Sequence, residues 1–199
     1  MTAEQPQAAS TSPTLALARQ GVMHFAVWLL AFSLFAATDS WTLLTGWPMA
    51  AFLNILTGII AGFLTVNLAH EWSHYLGARA TGADYHVAEK PSLFIFDWNF
   101  ESNGLGRFFA MSIAGTVGGG VALLALFLGI EPDNAGRAAL LAGAAASFAL
   151  GAFIEWPVLL RTVRSGDPFA ELAKLSPPVL GSAVTGSVAV GVACWFGIA

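Results

Sequence analysis

Two histidines four residues apart, with a glutamate beside the first, are the residues of this sequence best suited to catalysis. They are His70, Glu71 and His74, in the run His-Glu-Trp-Ser-His. Residues four apart on an α-helix lie on one face, so the two imidazoles can bind one zinc ion (Zn²⁺). Glu71 lies about 100° further round the helix and can take a proton from a zinc-bound water. The spacing therefore predicts a zinc site that carries out hydrolysis.

A catalytic zinc ion takes three protein ligands, so the sequence must supply one more. Glu155 is favoured, because it lies six residues before Arg161 while His74 lies five before Arg79, which predicts a similar depth in the membrane. A carboxylate without a partner is costly there. Asp167 is the second candidate, although Ser-Gly-Asp-Pro is typical of a turn or a helix cap.

The other two histidines are expected to lie outside the metal site. His24 comes at the start of the first apolar segment, where an interfacial side chain is favoured over a ligand. His86 follows Asp84 in a connecting segment, where solvent exposure is favoured. Polar packing without any metal is the alternative interpretation of the whole motif.

The composition predicts that these residues lie in a membrane protein. Of 199 residues, 56% are apolar and 10% are charged, whereas about 25% are charged in a typical soluble domain. Five segments reach the roughly 20 apolar residues that a membrane-spanning helix needs. The predicted fold is therefore all-α, a bundle of about five transmembrane helices at residues 22–44, 49–78, 108–130, 138–161 and 179–198.

The segments outside the spans and the single cysteine narrow the function further. Residues 1–20 are polar and are expected to form a flexible tail, with a cleaved signal peptide as the rival interpretation. Residues 21–199 then form one transmembrane zinc-hydrolase domain. Cys194 alone makes neither a disulfide framework nor a cysteine zinc site. The basic residues are scattered singly, so nucleic acid is not an expected partner.

The distribution of basic residues predicts the orientation. Lys and Arg gather on the cytoplasmic side of membrane spans. Seven of the eight fall on one side of the predicted bundle, and only Arg137 falls on the other. The seven are Arg19, Arg79, Lys90, Arg107, Arg161, Arg164 and Lys174. We therefore expect a multi-pass protein with a cytoplasmic N-terminus and the candidate site in the cytoplasmic half of the bilayer.

The third span carries a run of small residues, Gly115, Gly118, Gly119 and Gly120, with Ala114 before them. Such a face lets a neighbouring helix approach closely. The run predicts that this span packs against the helix that carries the histidines and sets its position.

Residues 70–83 resemble the site-2 protease family of intramembrane zinc metalloproteases. Beyond the five-residue motif, Ala78, Arg79 and Gly82 match that family's continuing pattern. Ala114-Gly115-Thr116-Val117-Gly118-Gly119 resembles the family's Ala-Gly-Pro-x-x-Asn segment, with Thr and Gly in place of Pro and Asn. The family's third ligand is an Asp, usually followed by Gly, and Glu155 has the corresponding place.

The resemblance implies a metalloendopeptidase that cleaves a peptide bond of a membrane-embedded protein substrate by water-mediated hydrolysis. It also implies an element near the active site between spans two and three. The apolar residues Leu93, Phe94, Ile95 and Phe96 are predicted to form that element, a short hairpin or re-entrant strand whose edge holds an unwound substrate segment.

The sequence also bears on how a substrate would be selected and on two other function classes. The connection 79–107 has no room for an inserted peptide-binding domain, so substrate selection would fall to the membrane part or to a separate adaptor protein. A transporter or channel would need ionisable residues in several spans or inverted repeats. The alternative function is a non-catalytic membrane protein that binds metal or helices, such as a degenerate protease.

Overall fold

The computed structural model describes residues 12–198, which form a helical bundle with one small hairpin. Five helices are long and apolar enough to cross a membrane, so the predicted all-α multi-pass membrane fold is confirmed. The elements in chain order are α1 (Pro13–Thr45), α2 (Pro48–Ala80), β1 (Tyr85–Val87), β2 (Phe96–Trp98), α3 (Leu105–Gly129), α4 (Ala135–Ser165), α5 (Pro168–Leu172) and α6 (Pro177–Ile198).

The first helix begins earlier than the first predicted span. α1 starts at Pro13, at the first helical position, where the missing N–H of proline costs nothing. Ala16 and Gln20 are buried, so contacts with the rest of the protein hold this part of α1. A search for apolar segments long enough to cross a bilayer does not detect such contacts. Residues 13–20 of the expected tail are therefore helical, and residues 1–11 lie outside the described part of the chain.

The second and fourth spans lie side by side and run in the same direction. A Cβ atom added to Gly62 of α2 would overlap the carbonyl oxygen of Leu140, and one added to Gly143 of α4 would overlap the carbonyl oxygen of Ile59. The two backbones touch because these positions lack side chains. Further along, α2 and α4 remain in close contact up to the level of the histidine motif.

The glycines of α3 face the histidine motif, as the sequence predicted. A Cβ atom on Gly115 would overlap the imidazole of His74, and one on Gly118 would overlap the hydroxyl of Ser73. A Cβ atom on Gly119 would lie 3.4 Å from the Cβ of His70. α3 therefore fixes the position of α2 through direct contact with the residues around the site.

A buried polar cluster joins α1, α2 and α4 at the opposite end of the bundle. The Asp39 carboxylate accepts hydrogen bonds from the side chains of Asn54 (3.0 Å), Asn134 (2.9 Å) and Arg137 (3.0 Å). Asn54 lies on α2, whereas Asn134 and Arg137 lie at the start of α4, and a broken partner would leave a charge uncompensated. The cluster thus sets the axial register of the three helices and, through it, the level at which α4 meets the motif of α2.

The connection between α2 and α3 folds into an antiparallel hairpin, with Tyr85 opposite Trp98. The predicted strand at 93–96 is only partly right, because Phe96 alone of that run belongs to β2. The main chain of Ser92 is hydrogen-bonded to α1, and strand pairing begins only beyond this residue.

At the base of the hairpin, hydrogen bonds from the Ser102 hydroxyl and the Asn99 amide, both 2.7 Å long, hold the pKa of the Asp84 carboxyl below its usual range.

Candidate metal centre

Three side chains from two helices converge on one point near the end of α2. The Nε2 atom of His70 lies 2.6 Å from Oε1 of Glu155, and the Nε2 atom of His74 lies 3.0 Å from the same oxygen. The two Nε2 atoms are 2.9 Å apart. The three residues therefore lie close enough to hold a metal ion, and His74 and Glu155 lie at the same level of the bundle.

The other ring nitrogen of His74 fixes which atom faces the centre. Nδ1 lies 2.9 Å from the carbonyl oxygen of Met111, and because a carbonyl can only accept, Nδ1 carries the proton. In the neutral ring, Nε2 is then unprotonated, and its lone pair points at Glu155. This is the arrangement that metal-binding histidines commonly have, with the second nitrogen held by a main-chain carbonyl.

Where the three side chains meet, they present more lone pairs than protons. The carboxylate of Glu155 and the Nε2 atom of His74 are both acceptors at 3.0 Å, so a proton or a cation must lie between them. The second carboxylate oxygen, Oε2 of Glu155, is buried and has no hydrogen-bond partner within residues 12–198. A cation at the centre satisfies the three converging atoms together.

The donor set also fits zinc in type and in size. Two imidazole nitrogens and one carboxylate are a ligand set of catalytic zinc sites. Zinc bonds of about 2.0–2.2 Å in a tetrahedron place neighbouring ligand atoms about 3.3–3.6 Å apart. The observed separations of 2.6–3.0 Å therefore require the ligand atoms to move apart by roughly 0.3–1 Å. No family model, no curated protein and no solved structure matches the chain.

A cavity of about 280 Å³ opens beside the candidate metal centre. Glu71, His74 and Glu155 form part of its wall, so Glu71 borders the same space as two of the candidate ligands. Phe94, Ile95 and Phe96 also line it. Leu93 is exposed and is not part of the wall. Three of the four residues predicted to bind substrate therefore lie beside the centre.

Asp167, the second candidate for the third ligand, lies elsewhere. Its carboxylate oxygen Oδ1 accepts a hydrogen bond of 2.9 Å from the main-chain N–H of Ala170 and caps α5. This is the role that Ser-Gly-Asp-Pro predicted. The structure therefore brings Glu155, and not Asp167, to the two histidines.

The remaining histidines are outside the centre as well. His86 is exposed on β1, as predicted. His24 is not among the converging ligands, and its side chain is buried in the protein: its Nδ1 accepts from the Trp72 indole at 3.1 Å. Its Nε2 therefore donates to the carbonyl of Ser92, 2.8 Å away. One turn earlier, Gln20 bonds the carbonyl of Lys90 (3.0 Å) and the N–H of Ser92 (3.2 Å).

These α1 contacts anchor the segment that leads into the cavity wall. Gln20 and His24 bind main-chain atoms of residues 90–92, and Phe94 follows two residues later. Trp72, between the two motif histidines, completes the link from α1 to α2. Sequence reasoning missed this anchor, because the loop partners are main-chain atoms about 70 residues away, which carry no residue signal.

Gly115→Ala is expected to weaken metal binding by displacing His74. The new Cβ atom would overlap the imidazole and push Nδ1 away from the Met111 carbonyl. Losing such a supporting contact typically lowers metal affinity about 10–100-fold. Competition for zinc with a chromophoric chelator measures the change. Gly106→Ala is the control, because a Cβ atom there meets nothing within 4 Å. Equal zinc affinity in both variants would contradict the role given to the α3 glycines.

Proposed function

We propose that this protein is an intramembrane zinc metalloprotease that hydrolyses a peptide bond of a membrane-embedded protein. The observation that carries the proposal is the convergence of His70, His74 and Glu155 on one point, beside a cavity that Glu71 also lines. Two imidazoles, a carboxylate and a nearby unliganded glutamate are the parts that zinc hydrolysis needs. The resemblance of residues 70–83 to site-2 proteases supports the same activity.

Each residue has a distinct part in the proposed reaction. When bound, zinc supplies Lewis-acid chemistry, which polarises a carbonyl oxygen and makes water a nucleophile at neutral pH. His70, His74 and Glu155 would hold the ion, and the Met111 carbonyl keeps His74 in the required tautomer. Glu71 accepts the proton of the attacking water on its carboxylate. It then gives that proton to the amide nitrogen as the peptide C–N bond breaks.

The substrate enters from the bilayer, since the centre lies on two membrane-spanning helices. A peptide bond inside a helix is protected by its own hydrogen bonds, so the substrate must unwind locally before cleavage. The hairpin lies beside the cavity and offers main-chain groups that can bind an extended strand. A separate adaptor protein is a further proposed partner in substrate selection.

The proposed function is tested by metal removal and return. Detergent-purified protein should hold one zinc per chain by elemental analysis, and His70→Ala should not. A chelator should abolish cleavage of a transmembrane-helix substrate, and added zinc should restore it. A protein that holds zinc but cleaves no member of a transmembrane-peptide library would be a non-catalytic metal-binding protein. A protein that holds no metal would remove the basis of the proposal.

The proposed orientation places the N-terminus and the candidate metal centre toward the cytoplasm. Arg137 is the exception among the basic residues and is paired with Asp39 and Asp133, at 3.0 Å each. The proposed orientation follows the other seven. In a Cys194→Ser background, an impermeant maleimide applied to intact cells should label Glu131→Cys and spare Glu101→Cys. The reverse pattern would invert the topology.

A further inference from the structure

The cavity beside the candidate metal centre has an apolar interior. It lies between the hairpin and helices α3, α4 and α5, and large hydrophobic side chains from all four supply most of its wall. They include Phe96, Trp98, Phe108, Val158, Leu159 and Leu172. Polar atoms enter the wall mainly on the side of the metal centre, through Glu71, His74 and Glu155. We call this space the apolar cavity.

The apolar cavity has room for one large side chain. Its volume is about 280 Å³, whereas an apolar cavity of about 150 Å³ in another protein holds a benzene molecule. Protein interiors are otherwise packed with few voids larger than a water molecule. A space of this size with hydrophobic walls therefore has room for a large apolar group.

The position of the apolar cavity restricts what can occupy it. Because the general base and two candidate ligands are part of its wall, a group inside it lies next to the bond that reacts. A substrate side chain attached beside that bond is therefore placed to enter the cavity. A charged occupant would lose its hydration against the hydrophobic wall, and a small one would leave most of the volume empty.

We infer that the apolar cavity binds the side chain of the substrate residue adjacent to the scissile bond, and that it selects a large apolar residue such as Leu, Met or Phe. This inference rests on the proposed proteolytic function and adds its substrate class. Hydrophobic pockets discriminate by roughly tenfold or more for a methylene group. Selection between Ala and Leu or Phe at this position therefore follows from the volume and the walls alone.

Val158 and Leu172 are the residues with which to change the volume of the cavity without touching the metal ligands. Val158 is 2% exposed and lies on α4, so Val158→Phe projects its added ring into the space. Leu172→Trp fills the cavity from α5, outside the membrane-spanning helices. Val163→Phe is the matched control, since Val163 lies on the same helix as Val158 and is 70% exposed.

Binding of hydroxamates to the zinc-loaded protein provides a test that does not depend on turnover. Acetohydroxamate carries a metal-binding group and no side chain, and the N-acetylated hydroxamates of Ala, Leu and Phe add one side chain each. We expect the native protein to bind the Leu and Phe compounds at least about tenfold more tightly than the Ala compound. Val158→Phe and Leu172→Trp should remove this preference, while Val163→Phe retains it.

Acetohydroxamate separates the possible failures. Unchanged binding of this compound in every variant shows that the metal centre is intact, so a lost preference reports the cavity and not misfolding. If the native protein binds acetohydroxamate but binds Ala, Leu and Phe compounds equally, the inference is overturned and the proposed function stands. A cavity filled by a lipid acyl chain gives that same result. If no zinc and no hydroxamate bind, the proposed function fails, and the inference fails with it.

Discussion

Glu71→Gln should retain zinc and lose nearly all hydrolysis. Glu71 lines the cavity beside His74 and Glu155 but is not among the three converging ligands. The amide has almost the same shape as the carboxylate and cannot accept the proton of the attacking water. General-base catalysis contributes about 10²–10⁴-fold, so kcat for cleavage of a transmembrane-helix substrate should fall by that factor.

The matched control for this variant is Glu101→Gln, since Glu101 is an exposed glutamate of the hairpin connection. It makes the same chemical change away from the cavity and should cleave at the native rate. Zinc content should be equal in the native protein and in both variants. Cleavage by Glu71→Gln at the native rate would show that another group takes the proton.

The sequence predicted which side chains converge, because here residue type carries the information. His70, Glu71 and His74 were identified from helical spacing, and Glu155 from the cost of a buried carboxylate together with its distance from Arg161. That depth argument holds because α2 and α4 run in the same direction and rise equally per residue. The structure places the Glu155 oxygen 2.6 Å and 3.0 Å from the two imidazoles.

The parts that could not be predicted depend on main-chain atoms. The carbonyl of Met111 sets the tautomer of His74, yet every residue has a carbonyl, so the sequence does not distinguish this one. The same applies to the loop atoms that Gln20 and His24 bind. β2 begins at Phe96, later than the apolar run, and the main-chain contacts of Ser92 with α1 that precede it likewise carry no residue signal.

The packing of the α3 glycines could be predicted only in part. A run of small residues predicts a close helix contact, and the contact is found. The sequence did not indicate that Gly115 in particular admits the His74 imidazole. That detail depends on how α3 is rotated about its axis. A run of small residues does not determine this rotation.

Glu155→Ala should remove zinc, whereas Asp167→Ala should leave zinc nearly unchanged. Glu155 supplies the oxygen that meets both histidines, so without it the site has two ligands and loses the geometry of a catalytic zinc centre. Asp167 caps α5, and removing a cap costs about 1 kcal/mol of stability. Elemental analysis of both purified variants should therefore give close to no zinc for the first and about one per chain for the second.

The zinc–oxygen distance gives an independent measure of the same assignment. X-ray absorption of the zinc-loaded native protein should show two nitrogen ligands and one carboxylate oxygen at about 2.0–2.2 Å. Glu155→Asp keeps the carboxylate and shortens the side chain by one methylene, so it should bind zinc more weakly than the native protein but more tightly than Glu155→Ala. Zinc lost in Asp167→Ala and kept in Glu155→Ala would transfer the third ligand to Asp167. That result would require α5 to fold back over the histidines, since its cap now holds Asp167 at the start of a separate helix.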